Sequence, residues 1–179
     1  MEKIAAAKIA DSEGDWRGER MDRYRRWGKE REPIIEEWAH FGFGFTPESR
    51  MAYAASNRLH TASIDGWRVD DEGLHLAEHK TSNVPLDEEK CAEKGYDVQV
   101  QWQMHVTDAV DTMVFWEERL NDPSSETGFA PGARGTVLIA RDDAMIAVLV
   151  GYAEEFLSIL QERAFGDDGS TDDPMLDGS

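Results

Sequence analysis

The residues with the greatest chemical reach lie in Leu74-His75-Leu76-Ala77-Glu78-His79-Lys80. Side chains alternate across a strand, so Leu74, Leu76, Glu78 and Lys80 share one face, while His75, Ala77 and His79 share the other. An acid and a lysine that continue a core-facing apolar row are costly unless they meet a partner such as a metal or a phosphate. Asp65, in Ser63-Ile64-Asp65-Gly66, stands at the end of the preceding strand, where a hairpin brings it beside Glu78. Two carboxylates plus a backbone carbonyl make a hard oxygen site of the kind Mg²⁺ prefers. Taken alone, Asp…Glu-x-Lys is a weak pattern, because an exposed Glu78–Lys80 salt bridge on an edge strand, with Asp65-Gly66 as an ordinary turn, fits the same residues.

The elements that must position these residues can be read coarsely. Helical spacing predicts a helix over Glu2–Ala10 and a longer one over Met21–His40, with Trp27, Ile34, Ile35 and Trp38 on its apolar side. Pro33 is expected to kink that helix or break it in two. After a connector, Gly42–Pro47, strands are expected at Arg50–Ala55, Leu59–Ile64 and Leu74–Lys80, the last entered through the turn Asp70-Asp71-Glu72-Gly73. A helix over Tyr96–Thr107 and a strand over Thr112–Trp116 follow. Gly135–Ile139 and Ala144–Val150 read as a hairpin, and Tyr152–Ala164 as a closing amphipathic helix. Strands interspersed with helices indicate a mixed α/β domain over residues 1–165. Residues 166–179, with five Asp, three Gly and no basic residue, read as an acidic disordered tail.

The motifs in order resemble the PD-(D/E)XK nuclease superfamily, with Ile64 in place of the usual proline before Asp65. More narrowly they resemble the lambda exonuclease and YqaJ-type viral recombinase family. Trp27-Gly28-Lys29-Glu30-Arg31-Glu32 is similar to the family's helical Gly-x-x-x-Glu block. Ser63-Ile64-Asp65-Gly66 and Glu78-His79-Lys80 supply the second and third blocks, and Tyr96-Asp97-Val98-Gln99-Val100-Gln101-Trp102-Gln103-Met104 is similar to its Tyr-x-x-Gln-Val-Gln-x-x-Met helix. The resemblance implies a restriction-endonuclease-like core, a central mixed sheet flanked by helices. It also implies a Mg²⁺-dependent deoxyribonuclease working from duplex DNA ends, 5′ to 3′, in phage-type recombination. Asp65, Glu78 and the His79 main-chain carbonyl are then the metal ligands, and Glu32 completes a second site, so two ions are expected, with Mn²⁺ able to substitute. Lys80 orients or deprotonates the attacking water or stabilises the transition state, and Gln99 holds Lys80 or the water. A homotrimer and a single-strand annealing protein are the implied partners.

One departure concerns the start of the chain. Ile4–Ala10 is similar to the family's first helix, but Ala7 stands where a serine is usual, and the accompanying arginine would fall before Met1. In lambda exonuclease such a pair binds the DNA 5′-phosphate. Either the chain begins at an internal start, or Arg17, Arg20 and Arg23 supply phosphate contacts by another route. The same arginines also fit a solvated helix face with pairs such as Glu19–Arg23 and Asp22–Arg26.

Composition bounds these readings. Among 179 residues, 37 are acidic and 19 basic, a formal charge of −18, which speaks against an indiscriminate nucleic-acid binder. Yet Arg17–Arg31 carries a local +4 from seven basic and three acidic residues. The −18 balance keeps a second class in view: a catalytically inactive nuclease-fold protein that binds or mimics DNA. The single cysteine, Cys91, excludes a four-cysteine zinc or iron–sulfur site in one chain, and with it the iron–sulfur type of RecB-like nuclease. It also suits a reducing cytoplasm. His40, His60, His75 and His105 lack zinc-site spacing, and no apolar run is long enough to span a membrane. Trp67 follows the Asp65-Gly66 pair and is placed either in the core or at the border of a DNA channel.

Overall fold

In a computed structural model that describes residues 15–165, the alternating segment is the middle of a ten-residue strand, Gly73–Ser82. In chain order the elements are α1 (Asp15–Phe43), β1 (Thr46–Pro47), β2 (Met51–Tyr53), β3 (Thr61–Ser63), β4 (Gly66–Asp70), β5 (Gly73–Ser82), α2 (Glu88–Glu93), α3 (Tyr96–Thr107), β6 (Asp111–Asn121), β7 (Phe129–Ala140) and α4 (Asp143–Phe165). The expected helix at Glu2–Ala10 and the acidic tail at 166–179 lie outside the described residues. The chain forms two compact units, one through Arg141 and one from Asp142.

The first unit is built on a five-stranded sheet in the order β1-β4-β5-β6-β7, with β2 and β3 paired separately. β5 and β6 run parallel, joined by the α2–α3 crossover, and the other neighbours are antiparallel. This is the expected α/β arrangement, a central mixed sheet flanked by helices. β5 is covered on both faces. Leu76 packs with Val100 and Met104 of α3 and with Val114, while Ala77 on the opposite face packs with Ile35 and Ala39 of α1 and with Phe45 and Phe115. Burying each large apolar side chain in these clusters contributes roughly 1.5–3 kcal/mol. Alternate β5 side chains therefore face α3 and α1 in turn.

Several expectations are corrected. α1 runs through Pro33 as one helix, so of the two expected outcomes the break into two helices does not occur. Pro33 is exposed, so water can satisfy the carbonyl it leaves free, while Trp27, Ile35 and Ala39 anchor the buried side on either side of it. Ala144–Val150 is the first part of α4, and the antiparallel partner of Gly135–Ile139 is β6. Asp142 Oδ1 accepts from the Ala144 and Met145 amides at 2.9 and 3.0 Å, an N-cap that starts a helix. β1, β4 and α2 are additional to the expected elements, and the first two expected strands shrink to Met51–Tyr53 and Thr61–Ser63. β6 and β7 extend well beyond their expected bounds.

Candidate active site

Asp65 occupies the step between β3 and β4. The register Gly66↔Ala77 sets it beside Glu78 of β5. Gly66 permits this corner: a Cβ there would lie 3.1 Å from the Thr46 carbonyl oxygen and 3.4 Å from the Ala77 Cβ. The His79 amide donates to Asp65 Oδ2 at 2.7 Å. Burial pushes the Asp65 pKa up and the Glu78 charge pushes it further, while the His79 hydrogen bond and the Lys80 charge offset only part of the rise. A carboxylate so placed is stabilised by a cation.

Glu78 is 4% exposed and is held from α3. Its Oε1 accepts from Lys80 Nζ and, at 2.7 Å, from Gln99 Nε2. Its Oε2 accepts from Gln103 Nε2 at 2.7 Å. Lys80 Nζ also donates to Gln99 Oε1 at 2.9 Å and lies 4.9 Å from the Tyr96 ring centroid. Tyr96, Gln99 and Gln103 are spaced by three and four residues, so they form one helical stripe, laid against Lys80 and Glu78 in reverse order along β5. The two glutamines fix the glutamate rotamer and supply donors that a buried carboxylate requires.

The His79 ring is on the opposite face, edge-on to Phe115 with ring centroids 6.0 Å apart. Burial lowers its pKa to about 4, so the imidazole is neutral at physiological pH and its 4.0 Å approach to Asp65 is not an ion pair there. A cavity of about 340 Å³ is lined by Gly28, Glu32, Ile35, Asp65, Glu78, His79, Lys80 and Thr81. Glu32 of α1 thus joins Asp65, Glu78 and Lys80. Three carboxylates against one ammonium leave a formal −2, which one divalent cation would neutralise, and the donors are hard oxygens. The donor set and the raised Asp65 pKa fit Mg²⁺ or Mn²⁺.

Elsewhere the structure separates or joins residues that spacing alone left open. Arg17 and Arg20 lie on α1, and Arg23 is exposed there. Asp22 pairs with Arg25 at 3.5 Å rather than with Arg26. The exposed Arg25 and Lys29 continue the stripe of Gly28 and Glu32 along α1, a placement visible only once that stripe is known to line the cavity. His60 and His105, distant in sequence, meet at 3.1 Å, but among the described residues no third ligand joins them. Asp70, Glu72 and His75 have ligand atoms within 4.8 Å of one another, spacing compatible with a divalent cation. However, both His75 nitrogens contact carboxylates at 2.8 Å, Asp70 and Asp111, and a cation would have to displace one of them. Burial lowers the His75 pKa, but these two bonds outweigh it and raise it, which favours an imidazolium with no lone pair to offer. Trp67 lines a larger cavity of about 640 Å³ with Tyr53, Leu74, His105 and Arg141, whose lining does not include Asp65, Glu78 or Glu32. The sequence shows Gln103 only as part of the helical motif; its partner Ser63 lies 40 residues away, and no local signal announces it.

Comparison with known proteins bears on the fold. No family model and no curated protein matches the chain. An alkaline exonuclease from Laribacter hongkongensis (LHK-Exo) superposes with a TM-score of 0.56 at 23% identity, covering 78% of this chain and 69% of that one. The same enzyme in complex with dAMP gives a TM-score of 0.57 at 23% identity, over 77% of this chain and 68% of that one. A phage-related exonuclease from Haemophilus somnus 129PT gives 0.54 at 18% identity, over 70% of this chain and 65% of that one. The chain therefore shares the fold of these exonucleases, consistent with the resemblance to the lambda exonuclease and YqaJ-type family.

Proposed function

We infer that this protein is a Mg²⁺-dependent deoxyribonuclease that hydrolyses phosphodiester bonds from duplex DNA ends, 5′ to 3′, in phage-type recombination. The observation that carries the reading is the convergence of Asp65, Glu78, Lys80 and Glu32 on one cavity, with Gln99 bound to both Glu78 and Lys80. The exonuclease fold and the dAMP bound by LHK-Exo support a nucleotide product, and Mn²⁺ is expected to replace Mg²⁺.

Asp65, Glu78 and the His79 carbonyl hold the first ion, and Glu32 contributes to a second. A divalent cation supplies Lewis-acid charge that favours a deprotonated water and offsets charge on the reacting phosphate. Lys80, restrained by Gln99 and the Tyr96 ring, presents its ammonium to the attacking water or to a phosphate oxygen. Gln99 offers the Lys80 ammonium a second acceptor beside Glu78 and so fixes where it lies. Arg17, Arg20 and Arg23 extend the DNA contacts along α1. A homotrimer and a single-strand annealing partner complete the reading, testable by mass in solution and by co-purification. The net charge of −18 favours one other reading, a nuclease fold that binds or mimics DNA without cutting it.

Digestion of end-labelled linear duplex decides between them. Wild type with Mg²⁺ is expected to release nucleotides, EDTA to stop it, and Glu78→Ala to reduce the rate by at least ~10²-fold. No release by wild type, or equal rates for the variant, rejects the nuclease. Equal rates on 5′-phosphate and 5′-hydroxyl ends reject only a 5′-phosphate contact by Arg17, Arg20 and Arg23.

A further inference from the structure

Gln103 is 3% exposed and sits on α3 between the apolar residues Val100 and Met104 and the carboxylate of Glu78. Its Nε2 donates at once to Glu78 Oε2 at 2.7 Å and to the Ser63 carbonyl at 2.9 Å. Both neighbours are acceptors only, so the amide cannot turn over without setting oxygen against oxygen. In this orientation Gln103 Oε1 is buried without a hydrogen-bond partner. A position serving the core alone is better filled by leucine or methionine, which bury no unpaired acceptor. An arrangement that accepts such a cost marks a functional constraint.

The two acceptors belong to the two arms of the site. Ser63 ends β3 two residues before Asp65, and Glu78 lies on β5. β3 does not pair with β5, because its own partner is β2 in the separate small sheet. Gln103 is thus a direct side-chain link between the strand that leads into Asp65 and the other carboxylate.

On the nuclease reading above, we propose that Gln103 is a positioning residue that sets the spacing between Asp65 and Glu78 and thereby the span the two carboxylates offer a divalent cation. It touches neither substrate nor metal and acts through Glu78 and the Ser63 carbonyl. Outer groups that orient metal ligands typically change affinity by roughly 10–100-fold when removed.

The test is Mn²⁺ binding by the full chain, followed by calorimetry and by the electron paramagnetic resonance signal of the free ion. Gln103→Met keeps volume and removes both bonds; it is expected to fold, with an unchanged circular dichroism spectrum, and to weaken Mn²⁺ binding by about 10-fold or more. If it fails to fold, Gln103→Asn carries the test, since its amide is too short by a methylene to reach both acceptors. Met104→Ala, a neighbouring core lesion, is expected to lower the melting temperature and leave Mn²⁺ affinity of the folded protein unchanged. Mn²⁺ affinity in the folded Gln103 variant equal to that of wild type overturns the positioning role, and so does an equal loss in Met104→Ala. If wild type binds Mn²⁺ but cuts no duplex, the nuclease reading fails while the positioning of the cation site stands. If wild type binds no Mn²⁺, both fall.

Discussion

Asp65 concentrates the tension of the site in one residue. It is buried beside Glu78, its pKa is raised, and its compensation inside the protein is the His79 amide and a Lys80 already engaged by Glu78 and Gln99. Substituting Asp65→Asn removes the charge but keeps an oxygen able to accept from the His79 amide. In EDTA at neutral pH the variant is therefore expected to melt at or above the wild-type temperature. Adding Mg²⁺ should reverse the order, because a ligand at 100 times its Kd adds about 2.7 kcal/mol to the form that binds it. Thermal scans of both proteins with and without Mg²⁺ check this. A variant that melts well below wild type in EDTA means that the Asp65 charge is structurally satisfied and that the site has no need of a cation. Such an exchange of stability against function is common where like charges are held together.

At the scale of elements, α1 must be docked accurately for Glu32 to share a cavity with Asp65. The docking group is Glu117 of β6, whose side chain is 0% exposed. Arg31 Nη2 donates to it at 2.8 Å and Arg134 Nε of β7 at 2.7 Å. Arg31 immediately precedes Glu32, so the same bond sets the rotation of the helix. Burial raises the Glu117 pKa, but the two arginines outweigh it and hold the carboxyl below its ordinary value. Its contribution is accordingly present above the pKa of the unfolded chain and lost as pH falls through the folded value. Arg31→Met is expected to cost about 1.5–3 kcal/mol, because it removes charged hydrogen bonds to a buried carboxylate that keeps Arg134 as a partner. Urea titrations at pH 7 and pH 3 measure it: the gap between wild type and variant should narrow in acid, and a gap that stays constant removes the ion-pair explanation. Alternation made the site strand legible in the sequence, since residue-to-face assignment over 74–80 needs only local geometry. Elements whose state is set by distant partners were not legible. Ala144–Val150 is a continuous apolar run with β-branched residues, which fits a buried strand, yet it is helical with Asp142 capping its start, and Gly66–Asp70 becomes a strand because β1 and β5 flank it. Likewise Gln103 acquires its role from Ser63 across the fold.

For the whole molecule, a formal charge of −18 and an isoelectric point near 4.5 set a repulsive long-range field for DNA. On the nuclease reading, affinity for DNA must then come from cations placed where the backbone passes. The local +4 of Arg17–Arg31 lies on the helix that also carries Glu32, and Arg25 and Lys29 share the stripe of the cavity-lining Gly28 and Glu32. Neutralising each phosphate releases counterions and contributes about −0.9 to the slope of log affinity against log salt. Duplex binding by this chain should show a shallow slope, with few phosphates engaged, in place of the steep dependence of a basic nuclease. The double variant Arg25→Gln, Lys29→Gln is expected to make the slope less negative by roughly 2 and to raise KM while leaving kcat near wild type. Lys90→Gln is the control: that lysine is paired with Glu93 at 2.7 Å on α2, and its loss should change neither quantity. Fluorescence anisotropy on labelled duplex between ~50 and 200 mM salt reads the slopes. If the control shifts as much as the double variant, net charge alone governs binding, and the α1 stripe has no special part in it.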